Sequence, residues 1–376
     1  MNTVSGRVVL VHDWLTGMRG GEKALERLCE VFPDAELFTL LHVPGSVSPL
    51  IEGRRVHTAF TQHLPFVRRA YRHYLPVFPS AIERLDLAGF DFVVSCSHCV
   101  AKSVKVPAGV PHLCYCLTPM RYAWDQFDAY FGPEKVGRVG SAVLRPVMTW
   151  MARWDQATAH RPSRYLAISQ YVARRIGLYY NRQAGVVYPP VDTDYFTPGA
   201  SAPGPTFVIV SALVPYKRLE VAIDAAHRAG ASLDIIGDGP ERARLEARAA
   251  KGPGVRLLGR LDDATVRERY RTAAAILLPG EEDFGIVPVE AQATGRPVVA
   301  LGRGGATETV VHGETGLLVA DDSVEAWADA LADVSRRTWD QGRIRAHAER
   351  FSHARFRADF RHAVDEVLAA PGGARW

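Results

Sequence analysis

Two glutamates flank a turn from which a helix is predicted to begin. Glu282 lies in an acidic turn after an apolar run, and Glu290 lies in the helical pattern that follows. Phe284, Gly285 and Ile286 lie between them, and backbone N–H groups at a helix N-terminus favour anions. At about 1.5 Å of rise per residue, Glu290 is roughly one and a half turns into the helix. This arrangement suits a ligand with hydroxyls next to phosphate, such as a sugar nucleotide. The alternative is one glutamate stabilising the helix dipole and one solvated glutamate.

Two other strand–loop–helix segments carry candidate ligand contacts. Lys217 and Arg218 follow the apolar run 206–211, and a lysine at a helix start opposes the helix dipole, so its presence indicates a bound anion. Gly20 and Gly21 lie between the first apolar run and the first helical pattern. These glycines let the backbone approach a ligand at the carboxyl end of a strand, or they form a flexible surface turn.

Apolar runs of strand length, separated by helical patterns, predict parallel sheets covered on both faces. These runs are residues 7–12, 34–39, 91–97, 112–116, 165–168, 206–211, 232–236, 255–258, 275–278 and 297–300. A chain of 376 residues is too long for one ordinary core, and 198–205 has the composition of a linker. The sequence therefore predicts an α/β protein with an N-terminal domain over 1–195 and a C-terminal domain over 206–352.

Composition narrows the class of protein. Hydrophobic residues make up 47% and charged residues 23%, which is typical of a soluble globular chain. The net charge of +4 is too small to indicate nucleic-acid binding. No apolar run reaches the roughly 18 residues of a membrane span, and the amino terminus has a strand pattern instead of a signal peptide. We therefore expect a cytoplasmic protein.

Metal binding is not predicted. Cys96 and Cys99 have metal-like spacing, but Cys114 and Cys116 are too close for a usual zinc knuckle, and both pairs end apolar runs. The odd number of cysteines, five, argues against a disulfide framework. Asp-Thr-Asp at 192–194 has the spacing of a divalent-ion motif, but its setting favours an interdomain segment.

A basic and aromatic stretch spans residues 60–78. It combines arginines with aromatic residues, namely Arg68, Arg69, Arg72, Phe66, Tyr71 and Tyr74. One interpretation is an amphipathic helix with its aromatic side chains packed inward. Such a mix is also found in surfaces that bind nucleic acid. A third interpretation is a surface that contacts anionic membranes, which would place the protein peripherally at the inner face of the membrane.

The string EEDFGIVPVEAQATGRPVV (residues 281–299) resembles the signature of retaining glycosyltransferases of family 4. This resemblance implies the GT-B fold, two Rossmann-like domains whose parallel sheets face across a cleft. It also implies that the last helix, 353–370, packs back on the N-terminal domain. The implied reaction moves a hexose from a nucleoside diphosphate sugar to a glycan or lipid-linked acceptor, without a further cofactor. The pattern is closest to cell-surface polysaccharide mannosyltransferases and favours GDP-mannose, with UDP-glucose or a UDP-N-acetylhexosamine as alternatives.

The same resemblance implies roles for several residues. Lys217 would bind the diphosphate, Glu282 the sugar hydroxyls and Glu290 the ribose. Arg260 would lie near the nucleotide base. Many members carry an arginine where this chain has Ala212, and Arg218 is predicted to supply part of that charge. The remaining donor contacts are the backbone groups of Gly20, Gly21, Phe284, Gly285 and Ile286.

Residues 117–125 also resemble the family, with one departure. Leu117 occupies a position that is often histidine in the family, where the histidine is thought to contact the sugar. Thr118, Arg121 and Asp125 are candidate acceptor or sugar contacts, or they anchor the loop. Two other functions stay open: a sugar-nucleotide epimerase of the same fold, and a non-catalytic relative that binds sugar nucleotides. The retained Lys217 argues against the second.

Overall fold

The structure is a computed structural model that describes residues 6–200 and 202–369. Its residues form two compact units. The first contains the described residues up to 190 and those from 356 onward, and the second contains 191–355.

The first unit alternates strands with helices. Its strands are β1 (Val8–His12), β2 (Glu36–Thr39), β3 (Val56–Thr58), β4 (Phe92–Ser97), β5 (His112–Cys116), β6 (Arg164–Ala167) and β7 (Ala184–Val186). Its α-helices are α1 (Gly20–Val31), α2 (Pro49–Glu52), α3 (Val67–Ala70), α4 (Phe78–Ile82), α5 (Arg121–Trp124), α6 (Phe127–Phe131), α7 (Pro133–Ala157) and α8 (Gln170–Tyr180). Short 3₁₀ turns span Phe60–His63, Tyr71–Val77 and Ala101–Ser103.

The strands of the first unit form one parallel sheet in the order β3-β2-β1-β4-β5-β6-β7. The central strands β4 and β5 are buried along their whole length, which explains why they read as continuous apolar runs. The strand order reverses between β1 and β4, and their paired ends place His12 opposite Cys96. Loops that follow these two strands therefore lie side by side at the carboxyl edge of the sheet.

The second unit repeats this plan. Its strands are β8 (Phe207–Val210), β9 (Leu233–Ile236), β10 (Val255–Gly259), β11 (Ile276–Leu278), β12 (Val298–Leu301) and β13 (Gly316–Val319). Its helices are α9 (Leu219–Ala229), α10 (Arg242–Ala249), α11 (Asp263–Thr272), α12 (Ile286–Ala293), α13 (Ala306–Thr309), α14 (Val324–Arg336) and α15 (Gln341–Glu349), with a 3₁₀ turn at Pro215–Lys217. The last helix is α16 (His353–Ala369), and its residues from Phe356 onward belong to the first unit.

All strands of the second sheet are parallel, in the order β10-β9-β8-β11-β12-β13. The order reverses between β8 and β11, as it does between β1 and β4. Two parallel sheets with flanking helices confirm the predicted two-domain Rossmann-like α/β fold. Helix α16 buries Phe356 and Phe360, whose rings lie 5.8 and 5.7 Å from the ring of Tyr115 in β5.

The predicted helix over 60–78 is wrong in one respect. The structure breaks this stretch into short helical pieces, because Pro65 and Pro76 interrupt the pattern. Tyr71 is buried as the inward-packing interpretation expects, whereas Phe66 is 84% exposed and takes a left-handed conformation. The five cysteines are buried free thiols. Within residues 6–200 and 202–369, no helix has the length and apolar character needed to cross a membrane.

Candidate functional site

The reversal of strand order in the second unit brings two predicted residues into contact. Lys217 ends the 3₁₀ turn after β8, Glu282 lies in the turn after β11, and their side chains form an ion pair. The two side chains are 15% and 17% exposed, respectively. Gly280 permits this approach, because a Cβ atom there would lie 2.7 Å from the Cα atom of Lys217. In parallel sheets, ligands bind at this kind of reversal point, outside the carboxyl ends of the strands.

A second glycine loop holds the acidic turn in place. The N–H group of Gly305 donates to the carbonyl oxygen of Glu282 over 2.7 Å. A Cβ atom on Gly305 would lie 2.3 Å from the Cα atom of Phe284, so a side chain there would displace the turn. The loop before α13 therefore positions Glu282 through backbone contacts, a dependence that the sequence motif does not reveal.

Helix α12 begins beside this ion pair. Gly285 caps the helix at φ +89°, a conformation that favours glycine, and Ile286 is the first helical residue. The side chain of Phe284 is buried, and its ring lies 5.4 Å from that of Phe351. The aromatic ring thus anchors the turn, while the backbone carries the anion-binding capacity of the helix N-terminus.

Glu290 has a different environment from Glu282. It is buried on α12, and the Tyr270 hydroxyl donates to its Oε2 atom over 3.2 Å. Burial, followed by the nearby Glu290 carboxylate, raises the pKa of Tyr270 well above its ordinary value. Tyr270 therefore stays protonated near neutral pH and serves as a donor. Glu290 is thus buried against Tyr270, whereas the Lys217–Glu282 pair is partly exposed.

The two arginines predicted to bind the donor differ in their contacts with carboxylates. Arg218 caps α9, and its Nη1 atom lies 2.7 Å from an Asp322 oxygen, with Glu220 also within ion-pair distance. Two carboxylates therefore already share its positive charge. Arg260 is exposed just beyond β10, and Ala212 is exposed beyond β8. The donor-binding roles of both arginines stay predictions.

The reversal point of the first sheet lies beside the predicted glycine loop. Gly20 and Gly21 begin α1. A Cβ atom on Gly21 would lie 3.0 Å from Leu117 Cδ1, 3.7 Å from His12 Cε1 and 4.0 Å from His98 Nδ1. Gly21 therefore packs closely against the ends of β1, β4 and β5, where a Cβ atom would press on Leu117.

Two residues at this edge were missed by sequence reasoning. Asp13 is fully buried, and its carboxylate accepts four backbone N–H groups, from residues 98–101, at 2.6 to 2.9 Å. His98 lies next to it, with Nδ1 3.1 Å from an Asp13 oxygen. These partners are far apart in sequence, and only the parallel pairing of β1 with β4 indicates that they meet.

The predicted acceptor residues form a loop anchor. Arg175 of α8 donates to Thr118 Oγ1 over 2.7 Å and to both carboxylate oxygens of Asp125 over 3.0 and 2.8 Å. The Arg175 side chain is only 6% exposed. Arg121 begins α5 and is half-buried. These contacts support the anchoring interpretation of Thr118 and Asp125, and their predicted substrate contacts stay untested.

Metal ligands do not cluster in the part of the chain that the structure describes: no three His, Cys, Asp or Glu side chains there converge on a potential ion site. In the Asp-Thr-Asp motif, the Asp192 carboxylate accepts the N–H group of Tyr195 over 2.9 Å and so closes a turn. A cavity of about 610 Å³ lies near the amino ends of β1 and β2, beside Arg7 and Glu36. None of the predicted site residues lines it.

One comparison with known proteins matches most of the second unit. Residues 204–337 match the family model described as "Glycosyl transferases group 1". This stretch contains Lys217, Glu282 and Glu290. The matched stretch is about a third of the chain.

Individual relatives are similar to this chain over less than half of its length. The chain is 34% identical over 169 residues to D-inositol 3-phosphate glycosyltransferase of Mycobacteroides abscessus, covering 40% of this chain and 38% of the relative. It is 33% identical over 196 residues to GDP-mannose-dependent alpha-(1-6)-phosphatidylinositol monomannoside mannosyltransferase of Mycobacterium tuberculosis, covering 44% and 51%. The chain thus spans about half or less of the length of these relatives.

Solved structures are similar over nearly the whole chain. Anabaena HepE in complex with UDP has a TM-score of 0.69 at 17% identity, covering 96% of this chain and 100% of HepE. Sucrose-phosphate synthase from Thermosynechococcus elongatus has a TM-score of 0.71 at 18% identity, covering 96% and 99%. At these identities the similarity establishes the fold alone.

Proposed function

We propose that this chain is a retaining glycosyltransferase that moves a hexose from a nucleoside diphosphate sugar to a hydroxyl acceptor. The observation that carries this proposal is the Lys217–Glu282 ion pair at the strand-order reversal of the second unit. The pair lies within the stretch that matches glycosyltransferases. An ammonium group there suits a leaving diphosphate, and a carboxylate beside it suits sugar hydroxyls.

The proposed reaction breaks the bond between the anomeric carbon and the phosphate oxygen. The acceptor oxygen forms the new bond on the same face of the sugar, and the acceptor proton passes to the departing phosphate. Negative charge develops on the phosphate, where Lys217 and the first turn of α12 would stabilise it. Donor binding would give Lys217 a second anionic partner and bring Glu282 against the sugar.

Glu290 is proposed to bind the ribose of the donor. Tyr270 holds one oxygen of its carboxylate, which fixes the side chain in a buried position. A carboxylate fixed in this way can accept hydrogen bonds from vicinal hydroxyls without a large loss of side-chain entropy. This contact would be similar before and during bond cleavage, so it contributes to binding more than to the chemical step.

Mannose is the favoured sugar and GDP-mannose the favoured donor, as the name of the mycobacterial relative suggests for that protein. UDP-sugars are the alternatives, since HepE was solved with UDP. A glycan or lipid-linked acceptor fits a protein that works at the inner face of the membrane. We further propose that no bound metal is required, because the charge of Lys217 takes the position of a cation at the diphosphate.

A donor panel tests the proposal. GDP-mannose, UDP-glucose and a UDP-N-acetylhexosamine are incubated with the protein, with and without a lipid-linked sugar, and release of GDP or UDP is measured. Acceptor-dependent release with retained anomeric configuration, unaffected by EDTA, is expected. Isomerised donor without any acceptor would indicate an epimerase. Activity lost in EDTA and restored by Mn²⁺ would contradict metal independence.

A further inference from the structure

His98 occupies the reversal point of the first sheet. It is the first residue after β4, and β4 pairs directly with β1. The position is thus the counterpart of the loop after β11, which carries Glu282 in the second sheet. A quarter of the His98 side chain is exposed, although it lies among buried residues. Gly21 packs against it without a side chain of its own.

Two neighbours pack against the His98 ring. Its Nδ1 atom is buried and lies 3.1 Å from Asp13, which favours the proton on that nitrogen, although the N–H bond is not aligned with the oxygen. The indole of Trp14 lies edge-on to the imidazole, with ring centroids 4.6 Å apart and an interplanar angle of 88°. Nε2 is therefore the nitrogen left to act as a hydrogen-bond acceptor.

Structural stability alone does not account for this histidine. Asp13 already accepts four backbone N–H groups, so its buried charge is stabilised without the imidazole. Burial lowers the pKa of His98, the charges of Asp13 and Glu22 oppose this shift, and those of His12 and Arg19 add to it. The ring is thus neutral near pH 7, as an accepting Nε2 requires. Gly21 presents no side chain to the ring, and the nearby His12 ring has its centroid 5.8 Å away.

We propose that His98 binds a substrate hydroxyl through Nε2, with Asp13 as the residue that positions the ring. This inference rests on the proposed glycosyltransferase function and adds a polar substrate contact in the first unit. The hydroxyl belongs either to the sugar of the donor or to the acceptor, and both would present the same O–H group to Nε2.

The test compares His98→Leu and His98→Gln with His160→Leu, which removes an exposed histidine of the same unit. His98→Leu is expected to lower kcat/KM about 10- to 100-fold, the range for one lost hydrogen bond in a site that excludes water. His98→Gln should recover part of the loss through its amide oxygen. Melting temperatures should match those of the wild type. Donor hydrolysis without acceptor and transfer at varied acceptor concentration show whether the donor or the acceptor kinetics carry the loss.

Wild-type activity that is equal in His98→Leu and His160→Leu would overturn the inference while the proposed function stands. Absence of transfer by the wild type would instead count against the proposed function. In that case, ¹⁵N-histidine spectra are recorded during titration with GDP-mannose, UDP-glucose and the lipid-linked sugar. A shifted Nε2 resonance that is missing in His98→Gln would support the contact. Unchanged His98 resonances with all three compounds would overturn it.

Discussion

The two sheets reverse their strand order at equivalent positions but use charge there in opposite ways. In the second unit, Lys217 and Glu282 come from separate loops and remain partly exposed as an ion pair. In the first unit, the Asp13 carboxylate is fully buried, and its oxygens accept hydrogen bonds from four backbone N–H groups. The same topology thus leaves charge partly exposed at the sheet edge of one unit and uses charge to fix a loop in the other.

This difference separates effects on activity from effects on stability. An ion pair at 15–17% exposure contributes modestly to folding, because the cost of desolvating both charges offsets their attraction. Removal of a buried carboxylate lowers the free energy of unfolding strongly, because the backbone N–H groups that donate to it would be left without partners. Substitution of Lys217 should therefore lower activity more than stability, and substitution of Asp13 should lower stability above all.

Lys217→Ala should have the largest effect on activity. Negative charge builds on the diphosphate as the glycosidic bond breaks, so kcat should fall about 10²- to 10³-fold, as it does when a preorganised stabilising group is removed. The melting temperature should change little. Steady-state kinetics with the donor identified by the panel measure the effect, and Lys251→Ala removes an exposed lysine of the same unit as the control. A near-normal kcat would mean that the diphosphate binds elsewhere.

Asp13→Asn should have the largest effect on stability. The amide keeps one accepting oxygen and places an NH₂ group against backbone donors. We expect a loss of about 2–4 kcal/mol in the free energy of unfolding of the first unit. Urea unfolding followed by tryptophan fluorescence measures it, with the exposed Asp333→Asn as the control. Equal unfolding midpoints for Asp13→Asn and wild type would show that the four N–H contacts contribute little.

Much of the fold could be predicted from the sequence because parallel, doubly covered strands are apolar throughout. The run 112–116 coincides with β5, and β4 differs from its prediction by one residue. Three strands at or near sheet edges were not predicted: β3 (Val56–Thr58), β7 (Ala184–Val186) and β13 (Gly316–Val319). They have only three or four residues, and two of them contain glycine, so their hydrophobic pattern is weak.

The candidate site was predictable only in part, for a related reason. Lys217 and Glu282 belong to local motifs, so each could be recognised alone, although their contact depends on the pairing of β8 with β11. Asp13 and His98 belong to no local motif. Their association needs the parallel register of β1 and β4, which a single sequence does not specify. The Cys96–Cys99 spacing is typical of metal sites, and no local pattern marks the histidine between the two cysteines.

The predicted membrane surface belongs to the first unit alone, so it offers another way to distinguish the two units. Arg68, Arg69 and Arg72 are exposed beside Phe66, whose ring projects into solvent. Each basic residue near an anionic surface is worth about 1 kcal/mol, so changing all three to serine should weaken liposome binding by about 3 kcal/mol at low salt. Flotation with anionic liposomes measures this loss, and added salt should weaken the wild type too.

The matched control changes the same net charge in the second unit, by serine substitutions at Arg228, Arg336 and Arg343. If membrane contact belongs to the first unit, the control should float like the wild type. Equal losses in both triple variants would show that net charge alone matters. Binding that is insensitive to salt or unchanged in the first-unit variant would contradict the predicted surface.

Glu290→Gln should have the smallest effect and the most specific one. Glutamine keeps an oxygen for the Tyr270 hydroxyl, so the fold should be unaffected. If Glu290 only binds the ribose, its contact is equal in the ground and transition states, and its loss should raise the donor KM about 10-fold with little change in kcat. Steady-state kinetics at varied donor concentration measure both constants, with the exposed Glu325→Gln as the control. A fall in kcat as large as that of Lys217→Ala would place Glu290 at the reacting centre, and the contrast between a binding carboxylate and a stabilising ammonium group would then fail.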